Sequence, residues 1–230
     1  MAHTILEATG LSKAFGTTHA LDGVDLGVAI GESVAIMGAS GSGKTTLLHV
    51  LAGITLPDAG HVSFESQKGR VDVAALGEAE RSRLRREAFG FVFQSGLLIP
   101  ELTAVENVAL ALMLTGVSRA ESEKRGASWL ATLGLAGLED RRIGQLSGGQ
   151  AQRVAIARAQ VTGASVIFAD EPTGALDSHT SGEVMTALLD STTGQGRTLI
   201  VVTHDADVAA RCSRIVDMRD GHITGERVPA

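Results

Sequence analysis

Apolar residues along the chain form short runs that are separated by glycine and polar residues. The clearest continuous runs cover residues 33–37, 166–169 and 199–202, and further strand candidates lie at 21–28 and 61–64. A short continuous apolar run is typical of a strand that is buried on both faces, as in a parallel sheet covered by helices. The pattern therefore predicts strands at these places, with turns between them.

The apolar spacing becomes helical over residues 94–160. Val105, Val108 and Leu112 recur at intervals of three and four residues, which is the period of an amphipathic helix. Trp129 lies on a second stripe of this kind, so its side chain is predicted to belong to the core.

Strand and helix candidates alternate again after residue 161, as in a parallel sheet that is interrupted by a helical insertion. The predicted organisation is a single α/β domain over residues 1–230. Its β-containing core regions cover about 1–93 and 161–230, and the inserted helical subdomain covers 94–160. No internal repeat, low-complexity tract or linker interrupts this pattern.

A glycine-rich loop separates the strand candidate at 33–37 from a helix candidate. Residues 38–45 read Gly-Ala-Ser-Gly-Ser-Gly-Lys-Thr. Such a loop lets consecutive backbone N–H groups surround a phosphate, while Lys44 reaches the β- and γ-phosphates and the Thr45 hydroxyl ligates Mg²⁺. The pattern predicts a nucleotide site whose contacts are Gly38, Ser40, Gly41, Ser42, Gly43, Lys44, Thr45 and Thr46.

Acidic and histidine side chains follow two of the apolar runs. Asp170 and Glu171 come directly after 166–169, and His204 comes just beyond 199–202. Ligands of parallel sheets lie at the carboxyl ends of the strands, so these side chains are expected near the phosphates. Asp170 is then a candidate Mg²⁺ ligand through water, Glu171 faces the attacking water, and His204 polarises or positions that water. Without the glycine-rich loop, the two acids would be interpreted as solvated residues at a strand end.

A second motif, Leu-Ser-Gly-Gly-Gln, occupies residues 146–150 and precedes a helix candidate that extends to about Gln160. The first N–H groups of a helix have no partner within the helix. Ser147, Gly148 and Gly149 can therefore present these groups, and the positive end of the helix dipole, to an anion. The motif predicts a second phosphate-binding element.

In this order, the motifs resemble those of the ATP-binding-cassette (ABC) ATPases over essentially the whole chain. The signature at 146–150 is specific to that family, since ordinary P-loop kinases and GTPases lack it. The resemblance implies a RecA-like P-loop NTPase core with an antiparallel β subdomain and an inserted α-helical subdomain, and it implies ATP and Mg²⁺ as cofactors. The matching residues are 38–45, Gln94, 146–150 with Arg153 following, 166–171, 175–177 and His204.

The resemblance also implies an ATP site that is shared between two cassettes in a head-to-tail dimer. The second cassette is most simply a copy of the same chain, so that Lys44 of one copy and the signature of the other hold one ATP. Asp177 resembles the family residue that crosses this interface. Gln94 resembles the residue that senses Mg²⁺ and couples the cassette to an integral membrane permease. The signature residues expected at the ATP are Ser147, Gly148, Gly149 and Gln150.

A membrane permease as partner implies a peripheral location at the cytoplasmic face of the cell membrane. Apolar residues after Gln94 are expected to form the groove that receives a short helix of the permease. The expected groove residues are Leu97, Leu98, Ile99 and Leu102.

Four further stretches of the sequence indicate one branch of the family. Stretches 89–94, 97–100, 102–108 and 169–178 resemble the branch of macrolide exporters, lipoprotein-release systems and antimicrobial-peptide detoxification systems. The cell-division cassette is similar, so a regulatory cassette that controls a cell-wall enzyme through a membrane protein is an alternative. A soluble ABC protein of DNA repair or translation is a third interpretation, although those proteins normally carry long coiled-coil insertions or tandem cassettes. The transported molecule and its direction stay open.

The chain contains no tyrosine, although the family usually stacks adenine on an aromatic residue before the glycine-rich loop. Phe15 is the only aromatic residue before Gly38, so it is the candidate adenine platform. The alternative interpretation is a phenylalanine of the core.

Composition agrees with a globular ATPase subunit. The net charge of −6 argues against nucleic acid as the main ligand, because phosphate-backbone binding needs a basic surface. The arginines at 81, 83, 85 and 86 are accompanied by glutamates at 78, 80 and 87, which indicates a solvated helix face anchored by Leu84. The single cysteine, Cys212, favours a reducing compartment. Neither a membrane-spanning run nor a secretion signal is evident.

Overall fold

The computed structural model of the protein describes residues 3–66 and 69–229. Its strands are β1 (Thr4–Phe15), β2 (Thr18–Ala29), β3 (Ser33–Met37), β4 (Ala59–Ser66), β5 (Gly69–Asp72), β6 (Phe89–Phe93), β7 (Val166–Asp170), β8 (Thr198–Thr203), β9 (Arg214–Arg219) and β10 (His222–Arg227). Its α-helices are α1 (Lys44–Leu51), α2 (Glu78–Glu87), α3 (Ala104–Met113), α4 (Arg119–Thr132), α5 (Gly148–Gln160), α6 (Ser178–Thr192) and α7 (Ala206–Ala209). The strands predicted from the apolar runs are confirmed.

The strands form two sheets. The first is antiparallel, with the order β2-β1-β4-β5, and the second has the order β10-β9-β3-β8-β7-β6. In the second sheet β9, β3, β8, β7 and β6 are parallel, and β10 is an antiparallel edge strand. The α/β class with an additional antiparallel sheet is confirmed.

The central order of the parallel sheet brings three strand ends together. Met37 at the end of β3 pairs with Thr203 at the end of β8, and Asp170 at the end of β7 pairs with Val202. The segments that follow these strands therefore emerge at the same edge of the sheet, where parallel sheets bind ligands.

The side chains of successive residues in the buried strands pack alternately into two apolar cores. Ile36 and Phe168 belong to the core beneath the antiparallel sheet and α1, whereas their neighbours Ala35 and Ile167 belong to the core under α3–α6. Successive side chains of a strand point to opposite faces. This is why β3, β7 and β8 contain continuous apolar runs.

The predictions for two individual side chains, Leu84 and Trp129, have different outcomes. Leu84 packs against the first core from the otherwise polar helix α2, as predicted. Trp129 is only half-buried at the rim of the second core, with the Arg197 guanidinium 5.6 Å from its ring centre. The prediction that Trp129 is a core residue is therefore only partly right, because this position lies at the edge of the apolar stripe of α4.

Within the described residues, no helix has the length and apolar character needed to cross a membrane.

Candidate active site

The start of α1 supplies free backbone donors. Its N-cap, Gly43, has φ 99° and contributes no side-chain cap, so the N–H groups of Lys44, Thr45 and Thr46 have no acceptor within the helix. These residues line a cavity of about 680 Å³. The other residues lining this cavity are Thr18, Ala20, Ala39, Ser40, Gly41, Gly43, Gln94, Glu171 and His204.

Two glycines let the loop pass close to neighbouring backbone. A Cβ at Gly38 would lie 2.2 Å from the Met218 carbonyl oxygen, and a Cβ at Gly43 would lie 2.2 Å from that of Ala20. Gly41 also has a positive φ of 79°, but a Cβ there would meet nothing within 4 Å. The loop is therefore packed tightly at its ends and is open in the middle, as a phosphate-binding loop requires.

Lys44 is buried and spans the loop from the inside. Its Nζ donates to the carbonyl oxygens of Gly38 (2.8 Å) and Ala39 (2.9 Å). An ammonium group has three N–H donors, so one is available for a ligand oxygen. The geometry fits the phosphate role that the sequence predicts for Lys44.

Oxygen ligands suited to Mg²⁺ lie beside the loop. The Thr45 hydroxyl donates to Oδ1 of Asp170 over 3.2 Å, and both residues line a second cavity that Gln94 and Glu171 share. Burial raises the pKa of Asp170, and the hydrogen bond from Thr45 opposes this shift. Hydroxyl, carboxylate and amide oxygens match the preference of Mg²⁺ for hard ligands. Within residues 3–66 and 69–229, no cluster of three His, Cys, Asp or Glu side chains could hold a metal by itself.

Glu171 and His204 form a pair at the end of the sheet. Nδ1 of His204 lies 2.9 Å from Oε1 of Glu171, and the Thr203 hydroxyl donates to Oε2 over 3.4 Å. The Glu171 N–H donates to the Val202 carbonyl oxygen, and its φ is 48°. A left-handed backbone is strained in a non-glycine residue and persists only where its surroundings hold it. With this backbone conformation, the Glu171 carboxylate contacts His204.

Gln94 follows β6 and lies beside the segment after Glu171. A Cβ at Gly174 would come within 2.9 Å of Nε2 of Gln94, so this glycine permits their close approach. The structure thus brings Gln94 into the cavity that contains Lys44, Glu171 and His204.

The signature residues lie outside this cavity. Ser147 caps α5 by accepting the Gln150 N–H (3.3 Å), and Oε1 of Gln150 accepts the Ser147 N–H (2.9 Å). This capping box uses both side chains and two backbone donors, the N–H groups of Ser147 and Gln150. The N–H groups of Gly148 and Gly149 are therefore the free donors at this helix start. Asp177 likewise caps α6, accepting the N–H (3.0 Å) and the hydroxyl (2.7 Å) of Thr180.

Phe15 is 55% exposed, so the alternative interpretation as a core phenylalanine is wrong. The Lys13 ammonium lies 5.6 Å from its ring centre. Phe15 does not line the cavity, whereas Thr18 and Ala20 of the following strand do. Sequence alone assigned no role to four residues at the site: Thr18, Ala20, Ala39 and Thr203. Ala39 lies within the glycine-rich motif and Thr203 directly follows the apolar run 199–202, whereas Thr18 and Ala20 carried no signal.

Comparison with known proteins identifies the family. The family model described as "ABC transporter" matches residues 21–174. The pyoverdine export ATP-binding/permease protein PvdT of Pseudomonas aeruginosa is 47% identical over 227 residues, which is 96% of this chain and 34% of that protein. The protein of the same name from Pseudomonas putida is 47% identical over 231 residues, 98% of this chain and 35% of that protein. The chain thus spans about a third of the length of these curated relatives.

Solved structures agree over nearly the full length. The dimeric structure of MJ0796, a bacterial ABC transporter cassette, has a TM-score of 0.88 and 38% identity, and the match covers 98% of this chain and 99% of that one. A dimeric post-hydrolysis state of MJ0796 bound to ADP and Pi has a TM-score of 0.87 at the same identity and coverage. CbiO1 from Clostridium perfringens, part of an ABC transporter complex, has a TM-score of 0.87 at 30% identity, with 99% and 89% covered. The chain therefore belongs to the ABC transporter family, as one of its ATP-binding ATPase cassettes.

Proposed function

We propose that this cassette hydrolyses ATP in the 680 Å³ cavity and that a second cassette and a membrane permease are its partners. The observation that carries the proposal is the Glu171–His204 pair, 2.9 Å apart, in the same cavity as Lys44 and the uncapped start of α1. Groups that bind phosphate and groups that activate water thus face one space.

The loop N–H groups and Lys44 hold the phosphates in this proposal. Thr45, Asp170 and Gln94 provide the Mg²⁺ site, with the remaining ligands supplied by phosphate oxygens and water. Mg²⁺, when bound, neutralises negative charge on the phosphates. Phe15 is proposed as the adenine platform because its exposed ring lies just before the cavity-lining residue Thr18.

Glu171 acts on the attacking water. Its carboxylate accepts a water proton as the oxygen attacks the γ-phosphorus and the bond to the ADP oxygen breaks. His204 holds this carboxylate through its Nδ1 contact and positions the γ-phosphate. Most of the rate acceleration then comes from positioning and charge stabilisation, as in other phosphoryl transfers.

The location of the signature supports a shared site. Gly148 and Gly149 have free N–H groups at the start of α5 but do not line the cavity of their own chain. A head-to-tail homodimer would place this helix start against the γ-phosphate of the other copy, with Asp177 at the interface. The dimeric MJ0796 structures support this arrangement.

A membrane permease is the second proposed partner. The relatives named as export ATP-binding/permease proteins support this proposal. Exposed apolar side chains near α3 provide the docking surface: Leu97 (58% exposed), Ile99 (38%), Met113 (41%) and Leu114 (60%). Leu98 and Leu102, the other two residues of the predicted groove, are half-buried and contribute less exposed surface, with Leu98 packing against the second core. The cassette would then work at the cytoplasmic face of the membrane.

Glu171→Gln tests the catalytic assignment. We expect ATP binding to persist and hydrolysis to fall by about 100-fold or more, the usual contribution of a general base. Glu183→Gln is the matched control, because this exposed carboxylate lies on α6 away from the cavity. Near-normal turnover by Glu171→Gln would remove Glu171 from the base role.

The same variant tests the partners. Light scattering should show that Glu171→Gln dimerises only with ATP, because slow hydrolysis keeps the closed state. Affinity purification of this variant in mild detergent with ATP should recover a multi-span membrane protein. Recovery of soluble proteins or nucleic acid alone would contradict the membrane assignment.

A further inference from the structure

The segment that carries Gln94 has an unusual backbone. Residues 94–99, called the Gln94 segment below, connect β6 to the turn before α3. Gly96 and Leu97 have positive φ angles of 68° and 45°. Leu97 has a side chain, so this left-handed conformation costs energy and persists only where neighbouring groups impose it.

Helix α5 supplies those neighbouring groups. Arg158 donates from Nη1 to the Leu97 carbonyl oxygen and from Nη2 to the Gly96 carbonyl oxygen, each over 2.7 Å. Six residues earlier on the same helix, Gln152 donates from Nε2 to the Phe93 carbonyl oxygen over 2.9 Å. The backbone on both sides of Gln94 is therefore bonded to α5.

Arg158 has no carboxylate partner among the described residues, whereas Arg214 pairs with two glutamates. Burial lowers the pKa of the Arg158 guanidinium. A half-buried cation without a counter-ion is costly unless its hydrogen bonds are well made. Its two short bonds to adjacent carbonyl oxygens use the planar fork of the guanidinium, which a single-point cation cannot reproduce.

We infer that Arg158 is a positioning residue that latches the Gln94 segment to α5. The inference rests on the proposed role of Gln94 at Mg²⁺. Helix α5 begins at the signature, beside Gly148, and ends just beyond Arg158. One rigid helix thus connects the donors offered to the ATP of the second cassette with the residue that contacts the metal in its own cassette. A displacement of the signature would move Gln94 through this latch.

Arg158→Gln tests the latch, with Arg158→Lys and Arg197→Gln as companions. Arg197 is a matched control because it is also half-buried and donates to the Gln160 side chain (2.6 Å) at the end of α5, but it does not contact the Gln94 segment. Hydrogen exchange of peptides covering 94–99 reports the latch directly. The Mg²⁺ concentration that gives half-maximal ATPase activity reports the position of Gln94.

For Arg158→Gln we expect faster exchange confined to 94–99 and a rise of about tenfold in the half-maximal Mg²⁺ concentration, the usual scale for losing support of a metal ligand. ATP affinity measured in EDTA should stay within about twofold, since the phosphate loop is untouched. Arg158→Lys should show a smaller rise. Arg197→Gln should lower the melting temperature without changing the Mg²⁺ dependence.

Unchanged exchange at 94–99 in Arg158→Gln would overturn the latch, as would an equal Mg²⁺ shift in Arg197→Gln. Gln94→Ala separates this inference from the proposed function. If Gln94→Ala raises the Mg²⁺ requirement and Arg158→Gln does not, only the latch fails. If Gln94→Ala leaves the Mg²⁺ requirement unchanged, the proposed metal role of Gln94 is wrong, and the latch inference, which rests on that role, is wrong as well.

Discussion

Removal from water changes the acidity of individual side chains in this cassette. Asp170 and Cys212 both have raised pKa values, and in both cases burial is the largest cause. For Asp170 this favours binding of a cation, because a nearby positive charge offsets the cost of a buried carboxylate. For Cys212 the raised pKa lowers the reactivity of the thiol, because the thiolate is the reactive form of cysteine.

Cys212 should react slowly with thiol reagents in the folded protein. Burial raises the pKa of its thiol from 9.0 to about 11. At neutral pH the thiolate fraction is then about 100-fold below that of an ordinary cysteine, before steric protection is counted. Following absorbance with Ellman's reagent, with and without guanidinium, measures the difference. An equally fast reaction in both conditions would contradict the prediction.

The starts of the α-helices differ in how many of their backbone N–H groups stay free. Helices α3, α5 and α6 have side-chain caps from Thr103, Ser147 and Asp177, whereas α1 has none. A cap occupies a backbone donor that could otherwise bind an anion. Without a side-chain cap, α1 keeps its first N–H groups free, which suits the proposed phosphate site but costs some helix stability.

Asp177→Ala should lower the free energy of unfolding in a pH-dependent way. The backbone and hydroxyl hydrogen bonds from Thr180 hold the pKa of Asp177 below its ordinary value of 3.8. A carboxylate with a depressed folded pKa stabilises the protein fully above its unfolded pKa, and the effect is lost as pH falls through the folded value.

The deficit of Asp177→Ala should therefore be full at pH 7 and shrink in acid below pH 3.8. Urea denaturation at several pH values measures it. Asp177→Asn is the control, because its amide oxygen also caps but does not titrate in this range. A deficit that is independent of pH would show that the carboxylate charge is unimportant.

Gly149→Ala should destabilise the packing of α5 on α6. The added Cβ would lie 2.4 Å from Cγ2 of Thr180, whose hydroxyl is tied to Asp177. Overpacking of this kind costs about 1–3 kcal/mol. Thr180→Ser removes the methyl group and keeps the hydroxyl, so the double variant should recover most of the loss in a urea titration. Equal loss in the single and double variants would place the cost elsewhere.

At the scale of the whole molecule, the parallel sheet separates two apolar cores. Phe168 in β7, the strand next to the edge strand β6, is buried, and its ring centre lies 5.2 Å from that of Phe89 and 5.6 Å from that of Phe91. These contacts connect β7 to the edge strand β6 and to the first core. A small cluster of aromatic side chains therefore stabilises the packing of this part of the sheet against the first core.

Phe168→Ala should lower the free energy of unfolding by about 3–5 kcal/mol, because it leaves a cavity in this cluster. Phe15→Ala, at an exposed position, should change stability by less than about 0.5 kcal/mol. Urea titrations followed by circular dichroism compare the two. A small effect of Phe168→Ala would indicate that neighbouring side chains fill the space.

The sequence predicts those parts of the molecule that depend on local pattern. β3 matches its apolar run residue for residue, and α5 ends at Gln160 as expected, because glycine and polar residues mark both boundaries. The cavity around Lys44 follows from a motif whose chemistry is local. The roles proposed for the site residues themselves remain predictions.

Side-chain contacts between distant parts of the chain could not be predicted. Trp129 at the rim of the second core contacts Arg197, which comes from a remote segment of the chain. Gln150 resembles a ligand residue in the motif, yet its side chain caps α5. Nothing in the local sequence of Arg158 indicates that it bonds the Gln94 segment, since both carbonyl oxygens belong to another part of the chain.

The shielding of Cys212 has a practical consequence for observing this cassette at work. A cysteine introduced by His179→Cys, at a side chain that is 85% exposed, would be the only thiol that a maleimide dye reaches readily. Donor and acceptor dyes on two copies of the cassette would then report the distance between them by fluorescence energy transfer. If the proposed dimer forms, its opening and closing could be followed in single molecules without removing the native cysteine.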